Sequence, residues 1–373
     1  MAIRPLVSVF IPAYNAEKTI RQAIESVLAQ TYPNYRLLIL DDASTDGTAD
    51  IINRYAVHSQ VTIHHHPENL GVTRNWNRGL ALCQGELVAR LDADDYYAPD
   101  YLAQVVTLFQ KFPETGLVFT GANLLSDRSV VELPYPESWV KRGRDFLPDL
   151  LRRCPIRASS VCVRQSFYQQ LGGVIEEMPN IHEDWEMWVR IAATGNVGYI
   201  AKPLVYYRLL NPSGCTSSAI KNARSPAACA IWLNRLAEGS LPYQLTAAEL
   251  SLLKQGMLEL VLAFAAFALE AGYEDSVQKH LDFARTLLPA STTDNGMQAR
   301  LYARAAEVFL MEGDRRQKGW QYLLKSMRYR CPPVELGRFL KLWARALLGN
   351  TLFNFVRSQT VARKSYSVGT PVP

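Results

Sequence analysis

The ten residues Glu86-Leu-Val-Ala-Arg-Leu-Asp-Ala-Asp-Asp95 constrain this chain more than any other stretch. An apolar run short enough to be a buried strand opens directly onto Asp92, Asp94 and Asp95. Anionic groups so close in the chain repel one another unless a cation or hydrogen-bond donors sit among them. Hard oxygen ligands of this kind suit Mg²⁺ or Mn²⁺, ions that also bind phosphate oxygens. In an open α/β sheet, ligands gather beyond the carboxyl ends of the strands, where this cluster would lie. An Asp-x-Asp at a strand end is therefore a candidate metal–diphosphate site. The plain alternative is a solvated turn with Asp capping the next helix.

The flanking sequence favours a parallel α/β sheet. Residues 6–11 form a β-rich apolar run broken by Pro12, and 36–40 and 61–65 form two more. Between them lie helical periods at about 16–30, 48–57 and 71–83, with Ile20, Ala23, Ile24, Val27 and Leu28 on one face of the first. Strands alternating with helices at this spacing predict βαβ units. No G-x-G-x-x-G follows the first strand, so the dinucleotide-binding fingerprint is absent. In its place stands the turn Pro12-Ala13-Tyr14-Asn15, and the second strand runs into the acidic loop 41–47, beginning Asp41-Asp42. His64, His65 and His66 alternate between strand faces and cannot all converge on one ion. Arg74, in the first turn of the helix after Gly71, could fork onto a phosphate or could be an ordinary surface arginine.

Composition narrows the class. With 48% hydrophobic and 20% charged residues in 373, the chain can bury a core and has room for two domains. A net charge of +5, partly in a basic C-terminal stretch, gives no continuous nucleic-acid stripe. Six scattered cysteines without a C-x-x-C pair suggest neither zinc nor a disulfide framework. The N-terminal residues carry no signal-peptide pattern, and the apolar run 257–271 is short and contains Glu259 and Glu270. A cytoplasmic protein, free or peripheral at the inner membrane face, is the expectation.

Taken in order, 9–15 (Val-Phe-Ile-Pro-Ala-Tyr-Asn), 41–46 (Asp-Asp-Ala-Ser-Thr-Asp), Asn69-Leu-Gly71, Arg74 and 91–95 (Leu-Asp-Ala-Asp-Asp) resemble the family 2 glycosyltransferases. The resemblance continues through 159–164, Leu171-Gly-Gly173 and 182–190, covering about residues 5–218. It implies the GT-A fold, a mainly parallel sheet flanked by helices, here followed by an all-α C-terminal region. It further implies an inverting transferase that takes a sugar from a nucleotide-diphosphate donor and passes it to a glycan or lipid-linked acceptor. Pro12, Ala13, Tyr14, Asn15, Asp41 and Asp42 would hold the nucleoside, and Arg74 would lie near the diphosphate. Asp92, Ala93 and Asp94 would meet the nucleotide sugar. Asp94, Asp92 and Asp95 would hold Mn²⁺ or Mg²⁺. Asp184 matches the general base, with Glu183 and Trp185 on the acceptor side.

Each role has a bland counterpart. Asp184 could simply cap a helix bearing Trp185, Trp188 and Val189, and either tryptophan could be core instead of a sugar platform. Two departures from the family pattern weaken the match. The segment 172–176 reads Gly-Gly-Val-Ile-Glu where Gly-x-Phe-Asp/Glu is usual, and Leu210 stands where many members carry a metal-approaching histidine. The segment 211–218 could still close over the donor.

From about 221 the period is helical, with candidate helices at 224–238, 246–271, 273–288, 297–312 and 314–330, punctuated by Gly272, Pro289, Gly313 and Pro332–Pro333. The expected division is 1–220 catalytic, 221–334 helical bundle or repeat-like, and 335–373 a basic amphipathic helix with a loose tail. That last helix either packs on the bundle or lies on an anionic membrane surface. Two other functions compete: a sugar nucleotidyltransferase, which should show a Gly-rich basic loop after the first strand, and a catalytically silent GT-A-like scaffold.

Overall fold

The computed structural model describes residues 4–125, 130–209, 215–289, 292–311 and 316–329. The expectations on Leu210, Gly313, Pro332–Pro333, the helix 335–357, the tail and 211–214 therefore lie outside the described residues.

The elements run β1 (Val7–Ala13), α1 (Ile20–Leu28), β2 (Tyr35–Asp41), α2 (Thr48–Asn53), β3 (Val61–His65), α3 (Val72–Leu82) and β4 (Leu87–Arg90). After these come β5 (Tyr96–Tyr97), α4 (Tyr101–Lys111), β6 (Thr115–Leu125), β7 (Val130–Glu132), β8 (Trp139–Arg142) and α5 (Gly143–Arg152). The series continues with β9 (Val161–Arg164), α6 (Gln165–Leu171), α7 (Glu183–Thr194) and β10 (Asn196–Arg208). Six helices complete it: α8 (Cys215–Lys221), α9 (Arg224–Ala237), α10 (Ala247–Glu270), α11 (Glu274–Thr286), α12 (Asp294–Met311) and α13 (Arg316–Arg328).

One sheet organises the first part, in the order β3-β2-β1-β4-β9-β6-β10-β5. The run from β3 to β4 is parallel throughout, as the alternation of strands and helices predicts, with Val9 paired to Leu37 on one side and Ala89 on the other. β9 then enters antiparallel between β4 and β6, and β10 returns parallel to β6. This change of direction beside β4 places the carboxyl end of β4 against the segment that precedes β9. It is a switch point of the kind where ligands bind in open sheets.

The strands are apolar because both faces are covered. Val7, Val9 and Ile11 of β1 pack on Ile20, Ala23, Ile24 and Val27 of α1. Phe10 turns to the other face, where its ring lies so close to Gly79 of α3 that a Cβ there would meet it at 2.6 Å. α2 is shorter than its period suggests, since Tyr55 and Ala56 donate to the carbonyls three residues back and tighten the chain into turns.

By contact the chain forms two compact units, one of Met1–Ala219 with Ala227–Met257, the other of Ile220–Pro226 with Leu258–Pro373. The first unit thus takes in helical sequence past residue 220. Trp232 of α9 is fully buried there, donating to the Tyr243 hydroxyl at 2.8 Å and meeting Trp185 edge to face at 5.3 Å. Gly256 fits because a Cβ at that position would lie 2.2 Å from the Leu151 carbonyl.

In the second unit, Gly272 (φ +75) ends α10 with a left-handed residue, and Tyr273 N–H reaches back to the Ala268 carbonyl at 2.9 Å. Tyr322 of α13 donates to Glu270 at 3.0 Å, and Ser326 to the Ala299 carbonyl at 3.0 Å. The helix Ala247–Glu270 is longer than the apolar run 257–271 and is, by length and composition, able to cross a membrane. Most of its apolar window is buried inside the protein, as expected of a core helix.

Candidate functional site

The carboxyl ends of β1 and β2 are closed by short-range hydrogen bonds. Asn15, at φ 49, accepts from Thr45 N–H at 2.8 Å and donates its own N–H to the Ser44 hydroxyl at 3.0 Å. Pro12, Ala13, Tyr14 and Asn15 thus sit beside the 41–47 loop, with Ala13 buried and the Tyr14 ring half-exposed. Asp41 accepts from Ser44 N–H at 3.2 Å and meets His65 Nδ1 at 2.9 Å. Both oxygens of Asp42 are used, by Leu70 N–H at 2.8 Å and Gly71 N–H at 3.0 Å. Burial raises the Asp42 pKa, and the two N–H groups hold it back. The three histidines do not converge on one point: His65 also bonds Asn53, while His66 turns inward to Asn75 at 3.1 Å with the His64 ring edge-on to it at 5.0 Å.

Gly71 takes φ +80 to let the chain enter α3, and Asn180 stands beside it, accepting from Thr73 N–H at 3.4 Å. Arg74 is exposed, with Glu176 3.7 Å away. Asn77 clasps the 172–176 segment, accepting from Val174 N–H at 2.8 Å and donating to the Val174 carbonyl at 2.9 Å. Gly173 permits that approach, since a Cβ would lie 2.1 Å from Asn77 Oδ1. The unusual Gly172-Gly-Val-Ile sequence therefore has a local reason: the backbone must pass close to α3.

The three acids after β4 divide. Asp92 bonds Arg90 Nη2 at 2.6 Å through Oδ1, and its N–H donates to Ser159 Oγ at 3.1 Å. Asp94 is half-buried, and its carbonyl accepts from Arg208 Nε at 2.7 Å. Asp95 points inward, where it accepts from Ser159 Oγ at 2.6 Å and Arg208 N–H at 2.9 Å. Burial, then Asp92 and Asp94, raises its pKa well above the carboxylate range. The expected ligand trio is thus two half-buried residues with the third as an internal staple. Among the described residues no cluster of three His, Cys, Asp or Glu side chains could hold a metal ion.

Opposite lies the start of α7. His182, at φ 65, precedes Glu183 and Asp184, which complement the positive end of the helix. Asp184 is half-buried and accepts its neighbour Trp185 N–H at 2.7 Å from inside the first turn, while His182 holds the N-cap position. Burial raises its pKa, with Arg90 pulling the other way. Glu183 is buried, and Oε2 has no hydrogen-bond partner among the described residues. Burial and the Asp184 charge lift its pKa to about 7. Both lie within electrostatic reach of Asp92.

Trp185 departs from its expected acceptor-side place. Its ring is 3% exposed and its indole N–H donates to the Leu150 carbonyl at 2.8 Å, which makes it core. Trp188 is core as well, leaning on Trp76 at 5.9 Å. Three polar residues of the site went unmarked in the sequence: Arg90, Ser159 and Arg208. The signal for Arg90 was an arginine inside an otherwise apolar strand, and for Ser159 its place at the head of the 159–164 segment of the resemblance; for Arg208, partners more than a hundred residues away left none.

Comparison with known proteins now adds to the geometry. The sequence model described as Glycosyl transferase family 2 matches residues 8–151. TuaG of Bacillus subtilis (strain 168), named provisionally as a glycosyltransferase of teichuronic acid biosynthesis, is 32% identical over 217 residues. That match spans 56% of this chain and 81% of TuaG. The crystal structure of S. aureus TarS 1–349 in complex with UDP-GlcNAc overlays with a TM-score of 0.59 at 17% identity, covering 87% of this chain and 91% of that one. The mannosyltransferase PcManGT from Pyrobaculum calidifontis, in complex with GDP-Man and Mn²⁺, gives 0.51 at 22% identity, covering 87% of each.

Proposed function

Because the chain belongs to glycosyltransferase family 2 and has the GT-A fold, we propose that it transfers a sugar, with inversion, from a nucleotide-diphosphate donor to an acceptor hydroxyl. The observation that carries this reading is that Asp184, at the start of α7, lies within electrostatic reach of Asp92, at the end of β4. An acceptor hydroxyl is a weak nucleophile until a carboxylate takes its proton, and Asp184 is the half-buried carboxylate opposite the donor side. Its Oδ1 accepts the Trp185 N–H. A second lone pair or the other oxygen is then available for the acceptor. Attack from the face away from the diphosphate inverts the anomeric carbon, and no enzyme nucleophile is required.

The donor's nucleoside would meet Pro12–Asn15 and the 41–47 loop, with Arg74 reaching its diphosphate. Asp41 and Asp42 act there chiefly by shaping the loop, because their oxygens are already bonded to this chain. Mg²⁺ in particular is commonly held by one or two carboxylates plus substrate phosphates. The half-buried pair fits that demand: Asp94, with Asp92 beside it, would hold Mn²⁺ or Mg²⁺. When bound, such an ion offsets the charge that gathers on a leaving diphosphate. Complexes of similar folds with UDP-GlcNAc and with GDP-Man and Mn²⁺ support this donor class. A relative named for teichuronic acid supports a cell-surface glycan as product and a glycan or lipid-linked acceptor, handled at the cytoplasmic face.

The test is a panel of nucleotide sugars with and without Mn²⁺, read by release of nucleoside diphosphate. One donor should be turned over by the native protein, and Asp94→Ala should lose Mn²⁺-dependent donor binding in calorimetry while melting normally. Release of pyrophosphate from a sugar phosphate and a nucleoside triphosphate would instead favour a nucleotidyltransferase. Failure of every donor to bind or turn over would leave the scaffold reading.

A further inference from the structure

We propose that Arg90 is a positioning residue that ties the donor-side carboxylates to the pair that opens α7. The inference rests on the reading of Asp92 as donor-side and Asp184 as base. Arg90 is the last residue of β4, a strand in which all four residues are buried. Its Nη2 grips Asp92 at 2.6 Å. Its guanidinium plane lies over Trp76, 4.0 Å from the ring centre, and Trp76 in turn packs on Trp188 of α7. One side chain therefore touches the donor strand end directly and reaches, through two indoles, the helix that presents Asp184.

Charge points the same way. A buried guanidinium carries a large desolvation cost, which burial among apolar groups alone would not repay. Here the Asp92 carboxylate repays part of it directly, through the 2.6 Å ion pair with Nη2, and the Trp76 ring face repays more. Arg90 Nε and Glu183 Oε2 are both buried, and neither has a hydrogen-bond partner among the described residues. Without a cation between them, the carboxylates of β4 and α7 would repel across the cleft and push the donor and base sides apart. Lysine could supply the charge but not the planar fork on Asp92 together with the stack on Trp76.

The experiment has two arms, both on the full chain. In the first, melting temperatures are compared for Arg90→Gln, Glu183→Gln and the double variant. Arg90→Gln should lower Tm on the order of 10 °C, the usual loss for stranding buried charges in a chain of this size. Adding Glu183→Gln should restore about half of that loss, clearly more than the same change raises the Tm of the native chain. If Arg90 only packs on Trp76, Glu183→Gln shifts Tm equally in both backgrounds, and the proposal is overturned. Should Arg90→Gln fail to fold, Arg90→Met takes its place in the same comparison, with the same two outcomes.

The second arm uses Arg90→Lys, which keeps the charge. With the donor found in the panel, kcat should fall at least about tenfold, because Asp92 and Asp184 lose their mutual placement. An unchanged kcat in the folded variant overturns the positioning role. The melting arm needs no donor. Rescue without any transferase activity would therefore sink the functional reading and spare the link between Arg90 and α7, while activity without rescue would do the reverse.

Discussion

At the tips of β1 and β2, all four carboxylate oxygens of Asp41 and Asp42 meet a donor from this chain: Ser44, His65, Leu70 and Gly71. At the start of α7, Glu183 is buried with one oxygen unmatched, and Asp184 beside it is held by a single N–H of its own helix. The same residue types thus do opposite work at the two places. Satisfied carboxylates fix a loop and are spent on structure. Unsatisfied ones keep their charge in reserve for something that is not part of the chain, and perturbed groups of that kind concentrate where chemistry occurs.

The sharpest way to break this contrast is Asp184→Asn. The amide still accepts the Trp185 N–H but cannot take a proton, so transfer should fall by roughly 10²–10⁴-fold with donor binding retained. Turnover near the native rate would move the base elsewhere, and Glu183 is the first place to look.

Asp42→Ala probes the other end. It strips the Leu70 N–H of its acceptor and leaves the Gly71 N–H only its bond to Asn69 Oδ1 in a half-buried turn, for a loss of about 2 kcal/mol in unfolding free energy. Asp42→Asn should lose clearly less, since one acceptor oxygen remains. Equal losses in denaturant titrations would mean that charge, not the pair of hydrogen bonds, is what the turn requires.

Glu183 gives the contrast a pH signature. Its pKa is raised from 4.5 to about 7 in the folded protein, so the unfolded chain releases the proton first. A penalty of about 3 kcal/mol therefore develops as pH rises from 4.5 to 7 and is complete above that range. Glu183→Gln should flatten stability across this window and raise Tm above pH 7. A parallel pH profile for native and variant would show that the buried carboxyl is not under electrostatic load.

The smallest effect separates core from site on α7. Trp185→Phe keeps the ring packed against Trp232 but strands the Leu150 carbonyl, at a cost of about 1 kcal/mol. The acceptor KM should not move. A large rise in KM would return Trp185 to the acceptor side.

Much of the sheet could be read in the sequence because β1, β2 and β4 are buried on both faces and are therefore apolar for most of their length. Positions of the acids along the chain were equally plain. Which way each acid points was not. Asp95 is turned inward by Ser159 and the Arg208 N–H, 64 and 113 residues away, and no local pattern encodes a partner so distant. Trp185 and Trp188 fell on a helix face that periodicity marks as apolar, but periodicity names a face and not what covers it. The same limit applies past residue 220, where the helices were expected and their membership in two different units was not.

That membership bears on how the protein is made. Ribosomes deliver α7 well before α9 and the 240–257 segment, and N-terminal units generally begin to fold as they emerge. Yet Trp185 waits for Trp232, and Glu186 and Tyr243 lie 3.4 Å apart only once that later chain arrives. A nascent chain halted near residue 220 would present an uncovered indole and a buried-type carboxylate to solvent. Completion of the packing around α7 is thus timed by translation of sequence that lies beyond the family-matched segment.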